Sequence, residues 1–353
     1  MKASISGLVV CALASTVLSA VAVAPAHAAP ATYKAPRNGF GQPDLTGAWS
    51  NETLTRMERQ RDYGDRLIAT PEEVAKLEGA RAQFVQIGSA PSNVNSAASE
   101  AIKTQCASAA TAFSPGCGYN TAFSDTTLNL MRVNGQPRTS FITFPANGRI
   151  PRRPDAKPRP DAYLAGNADN PENRGLPDRC IVSQNISTGA LLNPTIYNNT
   201  YQFAQNKDAV VIVTEMSHDA RTIRLNAQHD NIPRWFGDSV GHWEGETLVA
   251  DTVGFHPEQL EYNSPALHLT ERFTRVGPDR ILYQFKVEDP GAYTQAWGGE
   301  YEFHTAKGLQ YEYACHEGNY ALEGILSGAR QDEARAKATG QPVAKVASGD
   351  ESE

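Results

Sequence analysis

Between Cys180 and Tyr320 apolar side chains recur at every second residue, and no feature of the sequence narrows the fold more. Successive side chains of a strand point to opposite faces, so each segment can be divided into two sets. In Ala209 to Ser217, Val211, Val213 and Glu215 form one set and Val210, Ile212 and Met216 the other. One face of Thr247 to Phe255 carries Thr247, Val249, Asp251, Val253 and Phe255. Leu267, Leu269, Glu271 and Phe273 share a face, and a Gly277-Pro278-Asp279 turn leads to a partner strand with Ile281, Tyr283, Phe285 and Val287 on its apolar side. Leu309, Tyr311, Tyr313, Cys315 and Glu317 alternate in the same way after Lys307-Gly308. The expected class is mainly β, with antiparallel strands.

By this division Glu215, Asp251, Glu271 and Glu317 each fall on an otherwise apolar face. A carboxylate in such a place requires a partner or a function, because burying it alone costs several kcal/mol. Two readings follow: site chemistry, or a ladder of ion pairs with Arg221, Arg224, Arg272 and Arg275. Histidines favour the first. His218 follows Glu215 in E-M-S-H-D-A-R, where a turn would gather His218, Asp219 and Arg221 at one mouth of the sheet, and His268 and Arg272 share the face opposite Glu271. A metal held by His218, His229 and a carboxylate has no supporting ligand spacing, so no metal is expected.

Upstream the composition is different. Residues 1–28 have a Lys2 n-region, an apolar stretch from Leu8 to Val23 and an Ala26-His27-Ala28 cleavage site, which reads as a secretory signal. Small residues and Pro25 interrupt the run, so it does not read as a membrane span. Cleavage would remove Lys2 and Cys11, taking the formal net charge from −7 to −8 and the cysteines from five to four. An even number in an oxidising compartment favours two disulfides, and spacing favours Cys106 with Cys117 and Cys180 with Cys315. The expected location is periplasmic or secreted. The acidic balance argues against nucleic acid as a partner, since neutralising phosphates needs clustered Lys and Arg.

The remainder of the chain is expected to be one domain over residues 29–325, followed by an acidic, disordered tail over 326–353. Pro43 to Asn51 includes a short strand. Thr70-Pro71-Glu72-Glu73 is a capped helix start whose helix runs to about Ile87, and a helical elaboration is expected over about 70–120. Thr139 to Phe144 reads as a further strand. Trp49, Trp235, Trp243 and Trp297, with Tyr262, Tyr293, Tyr301 and Tyr313, could staple the ends of a barrel or line an apolar cavity. G-x-S-x-G, Walker, Rossmann, H-E-x-x-H and C-x-x-C-H signatures are lacking in the mature sequence, and no cofactor is implied.

D-S-V-G-H-W-E-G-E-T-L-V-A-D-T (Asp238 to Thr252), A-L-H-L-T-E-R-F (Ala266 to Phe273), E-D-P-G-A-Y-T (Glu288 to Thr294) and Y-A-C-H-E-G-N (Tyr313 to Asn319) resemble a widespread family of exported, β-rich bacterial proteins. P-D-L-T-G-A-W (Pro43 to Trp49), R-T-S-F-I-T-F-P-A-N-G-R-I-P (Arg138 to Pro151) and D-R-C-I (Asp178 to Ile181) are similar to its earlier segments. The resemblance implies a lipocalin-like β-barrel and export. The chain departs from the pattern at Ala250, where Val is usual, and in the insertion around Cys106 to Cys117.

The function expected first is an enzyme that acts on a small hydrophobic or aromatic molecule by acid-base chemistry, as a lyase, isomerase or cyclase. Glu271 would be the base, its proton affinity raised by apolar neighbours, and His218 an acid oriented by Asp219, with Glu215, Glu317 and His268 nearby. Arg221 or Arg272 would hold an anionic group, and Trp243 and Tyr313 would grip the ligand. The alternative is a lipocalin-like carrier that binds such a ligand without chemistry. Oligomeric state has no signal in the sequence.

Overall fold

The computed structural model describes residues 33–89, 127–156, 170–182, 191–195, 197–230, 232–259 and 263–343. The signal segment, the Cys106–Cys117 pair, Tyr262 and the second part of the helical elaboration lie outside the described residues. Twelve strands follow in chain order: β1 (Gly47–Ser50), β2 (Arg132–Val133), β3 (Gln136–Pro137), β4 (Ile142–Phe144), β5 (Thr200–Gln205), β6 (Ala209–Thr214), β7 (Ala220–Leu225), β8 (Asp238–Glu244), β9 (Thr247–Val253), β10 (His268–Gly277), β11 (Arg280–Glu288) and β12 (Trp297–Thr305). The α-helices among the described residues are α1 (Pro71–Gly88) and α2 (Tyr320–Thr339).

β1 and β5 through β12 close into a nine-stranded barrel, because β1 pairs with β5 on one side and β12 on the other. All its neighbours are antiparallel except β7 and β8, where Ile223 lies opposite Ser239 in parallel register. The exception to the expected antiparallel order has a simple cause. The link from Asn226 to Gly237 is long enough to carry the chain back along the barrel, whereas a hairpin is not. β4 pairs in the same sheet with β12, on the edge that β1 shares, at Gly298 and Gly299. There Gly298 and Gly299 let the backbones meet: a Cβ on Gly299 would overlap the carbonyl of Phe141, and one on Gly298 the carbonyl of Phe285.

The period of two sorts β10 and β11 as expected. Leu269, Glu271 and Phe273 point inward, as do Ile281, Tyr283, Phe285 and Val287. Rings fill the interior: the centroid of Tyr283 lies 5.0 Å from that of Phe273, 4.8 Å from Tyr301 and 5.9 Å from Phe303. Each buried ring side chain contributes about 1.5–3 kcal/mol by area, with about 0.5–1.5 kcal/mol more for a well-oriented pair. Leu45 is fully buried in the same core, and its carbonyl accepts from Trp49 Nε1 at 2.9 Å. Trp49 is thus a buried core residue.

α1 begins as its sequence dictates. Thr70 Oγ1 accepts from the Glu73 amide at 3.3 Å and Glu73 Oε2 from the Thr70 amide at 2.8 Å, a reciprocal capping box. Three expectations need correction. The strand in Thr139 to Phe144 is confined to β4. The alternating run from Leu309 to Glu317 forms no strand: Leu309 is 76% and Tyr311 69% exposed, and Glu317 lies in a 3-10 turn, His316–Gly318. With β1 and β4 sharing the second side of β12, at His304–Thr305 and Gly298–Gly299, that edge has no room for another strand. The tail expected from residue 326 is helical to Thr339, because Asn319 Oδ1 caps the Leu322 amide at 3.3 Å and Gly340 ends the helix in the left-handed region at φ 70°. Cys180 and Cys315 form the expected disulfide, with Cα atoms 5.7 Å apart.

Candidate functional site

Glu271 on β10 faces Arg221 on β7 across the barrel interior, and both are almost completely buried. The guanidinium grips the carboxylate with two nitrogens: Nη2 donates to Oε1 at 3.1 Å and Nη1 donates to Oε2. Tyr283 Oη donates to the same Oε1 at 2.8 Å. The Leu192 amide donates to Tyr283 Oη at 3.2 Å, Tyr301 Oη donates to the Leu192 carbonyl, and Asn51 Nδ2 reaches Tyr301 Oη at 3.1 Å and Tyr201 Oη at 3.3 Å. Burial, reinforced by the neighbouring Glu271, pushes the Tyr283 phenol well above its usual value; burial does the same at Tyr301. Both phenols therefore remain protonated donors. The surroundings expected of Glu271 were apolar, and the structure places a guanidinium and a phenol there instead. Both carboxylate oxygens are thus engaged, Oε1 by two donors and Oε2 by one.

Glu215, His218 and Tyr313 meet at the rim. β6 stops at Thr214, and the chain turns through Met216–His218 with Ser217 and His218 in the left-handed region. By parity Glu215 would point outward with Val211 and Val213. It is buried because the strand has already ended and its backbone is αR. Its Oε2 accepts from the Thr200 amide at 3.3 Å and its Oε1 from the Tyr311 amide at 3.2 Å. His218 Nε2 accepts from the Tyr313 amide at 2.9 Å. Glu215 and His218 thus hold the segment before Cys315 against the barrel end. Asp219 contributes its carbonyl to the Thr214 amide at 2.8 Å.

The other expected site residues lie elsewhere. Asp251 shares the outer face of β9, since the inward set there is Leu248, Ala250 and Thr252. On that outer surface its Oδ2 meets His268 Nε2 at 2.7 Å and its Oδ1 meets His229 Nε2 at 3.0 Å. His229 Nδ1 in turn meets Asp238 Oδ2 at 3.2 Å, and Arg224 Nη2 holds Asp238 Oδ1 at 2.6 Å. Burial pushes the Asp238 carboxyl up, but the Asp230 amide, Arg224 and His229 together outweigh it, so the net shift is downward. Arg272 is also outside, paired with Glu244 at 2.9 Å, which removes it from any oxyanion role beside Glu271. Trp243 packs partly buried near the β8–β9 hairpin, and Glu317 is exposed on its turn. Among the described residues no group of three His, Cys, Asp or Glu is placed to hold a metal, and His218 and His229 belong to different clusters.

Tyr283, Asn51, Asp238 and Arg138 were not among the expected site residues. Tyr283 had a signal, since the turn at Gly277 fixes the register that sets it two positions along the inward face from the partner of Glu271. W-E-G-E-T-L-V-A-D-T forms the β8–β9 hairpin, where Glu246 accepts from the Ala35 amide at 3.2 Å and pairs with Arg37, and Thr252 bonds Ser239 at 2.9 Å. These contacts hold the hairpin and the N-terminal arm together. Compared with protein-family models the chain matches none, and no curated protein is detectably similar to it.

Proposed function

We propose that the chain is an exported β-barrel protein that binds a small hydrophobic or aromatic molecule without transforming it. The observation that carries this reading is the Glu271 carboxylate, engaged by Arg221 at both oxygens and by Tyr283. Acid-base catalysis needs a group free to take a proton from substrate, and the inward carboxylate best placed for that is already a structural ion pair. His218 likewise has its Nε2 on a backbone amide. Export is supported by the signal-like first 28 residues, by the Cys180–Cys315 disulfide and by the family resemblance; no helix among the described residues is long and apolar enough to cross a membrane. Because rings fill the barrel interior, binding falls outside the lumen and the barrel acts as its rigid support.

Native mass spectrometry of the protein purified from a periplasmic extract tests the reading. A small molecule retained at a fixed stoichiometry and released chemically unchanged is the expected result. Release of an altered molecule on incubation would return the lyase, isomerase or cyclase reading, and a chain that binds nothing from the extract would remove the binding one.

A further inference from the structure

Outside the barrel, the loop from Leu54 to Tyr63, helix α1 and the segment from Leu130 to Thr139 enclose a cleft of about 200 Å³. Its walls are fastened by backbone and side-chain hydrogen bonds. The Leu54 amide donates to the Asn129 carbonyl at 3.0 Å, the Arg138 amide to Met131 at 2.8 Å and the Thr139 amide to Leu67 at 2.9 Å. Thr55 Oγ1 donates to the Arg138 carbonyl at 3.1 Å, and Arg81 Nε from α1 reaches the Thr127 carbonyl at 3.2 Å. The cleft is therefore preformed, which lowers the cost of ordering it around a ligand.

Its chemistry is one-sided. Leu54, Leu77 and Leu130 supply apolar wall, while Arg56, Arg81 and Arg138 are its charged members, and among the described residues no carboxylate lines it. Arg138 is the decisive residue, since its side chain is only 7% exposed. Nη2 donates to Glu300 Oε1 at 2.8 Å, but buried Nε has no hydrogen-bond acceptor among the described residues. An N–H without an acceptor in a desolvated place costs about 1–3 kcal/mol, more on a charged group, and a guanidinium that turns toward an acceptor brought into the cleft recovers it. Guanidinium forks match planar carboxylates, and the leucines suit an apolar body. Drug-sized ligands occupy roughly 300–1,000 Å³, so a cleft of about 200 Å³ suits one ring or a short chain.

We propose that this cleft binds a small monocarboxylic acid with an apolar body, its carboxylate accepting from Arg138 and its ring or chain lying against Leu54, Leu77 and Leu130. Arg56 and Arg81 add positive potential at the wall. The assignment rests on the binding reading above and gives it a place and a ligand class.

Isothermal titration calorimetry of the full chain with benzoate and with neutral benzamide tests it. Benzoate should bind roughly ten- to hundredfold more tightly than the amide, the ratio expected of a charge-assisted bond to a buried guanidinium. Arg138→Gln should abolish the preference. Because Arg138 also holds Glu300, a second variant is needed. Leu77 is 36% exposed on α1, so Leu77→Trp should fill the cleft and remove benzoate binding while the circular dichroism spectrum and melting curve stay at wild type. Equal affinity for acid and amide, or benzoate binding undiminished by Leu77→Trp, overturns the assignment. If native mass spectrometry still shows a retained molecule in that case, the broader binding reading stands. If it shows none, both fall.

Discussion

Glu271→Gln isolates the charge of the buried pair while preserving its shape. Wild type has Glu271 fully buried and Arg221 at 3% side-chain exposure, with both carboxylate oxygens used. The amide leaves the guanidinium inside the barrel without a counter-charge and gives it one oxygen instead of two, for which Tyr283 also competes. Removing one partner of a buried ion pair costs about 3–5 kcal/mol, a large part of the roughly 5–15 kcal/mol that holds a typical domain folded. Arg221→Met should cost a similar amount, since it leaves the carboxylate alone. Replacing both at once, Arg221→Met with Glu271→Leu, removes both charges and both desolvation penalties. The double variant should return to within about 2 kcal/mol of wild type, apart from the Tyr283 hydroxyl left without its acceptor. Urea unfolding followed by tryptophan fluorescence measures these proteins together with the single variant Glu271→Leu, so that the coupling is read from a closed double-mutant cycle. A Glu271→Gln midpoint equal to wild type, or a double variant as unstable as the sum of the singles, would refute the claim that this carboxylate is an engaged structural partner.

Three further outcomes are expected. Gly299→Ala should lower the melting temperature by on the order of 10 °C, because its Cβ would overlap the Phe141 carbonyl and part β4 from β12; calorimetry checks it. Hydrogen bonds from Arg66 and the Thr70 amide hold Glu73 down to about 2 from 4.5, so its contribution to the α1 cap is complete above pH 4.5 and is lost as pH falls through about 2; in Arg66→Ala an NMR titration should show the carboxyl moving back up toward 4.5. Non-reducing peptide mapping should recover Cys180 linked to Cys315, and Cys315→Ser should lower stability by about 4–5 kcal/mol, the loop-closure value for a cross-link spanning 135 residues.

What the sequence revealed follows the range of the forces involved. The inward sets of β10 and β11 and the capped start of α1 were legible because each depends on neighbours two to four residues away. The outward placement of Asp251 was not, since alternation separates two faces without saying which is inner when both carry apolar residues. Glu215 is buried through a local end of strand, which periodicity cannot mark. Arg221 appeared among possible ion-pair partners, but choosing it for Glu271 requires the circumference of the barrel, which brings β7 opposite β10. Leu309 to Glu317 had strand-like alternation, yet pairing depends on a free edge, and that is a property of the whole sheet. The isolated Nε of Arg138 likewise emerges only when loop, helix and hairpin have assembled around it.

Closure by β1 also sets an order in time. Trp49 pairs with Tyr201 on β5 and with Thr305 on β12, so four residues near the start of the chain must wait for residues near its end. Until Thr305 has been made, the outer backbone groups of β5 have no second neighbour, and afterwards β5 and the end of β12 that β4 does not cover remain available to other chains until β1 arrives. The shortest strand of the barrel is thus its latch, and a chain cut before Ser50 would leave two adhesive borders in place of one seam.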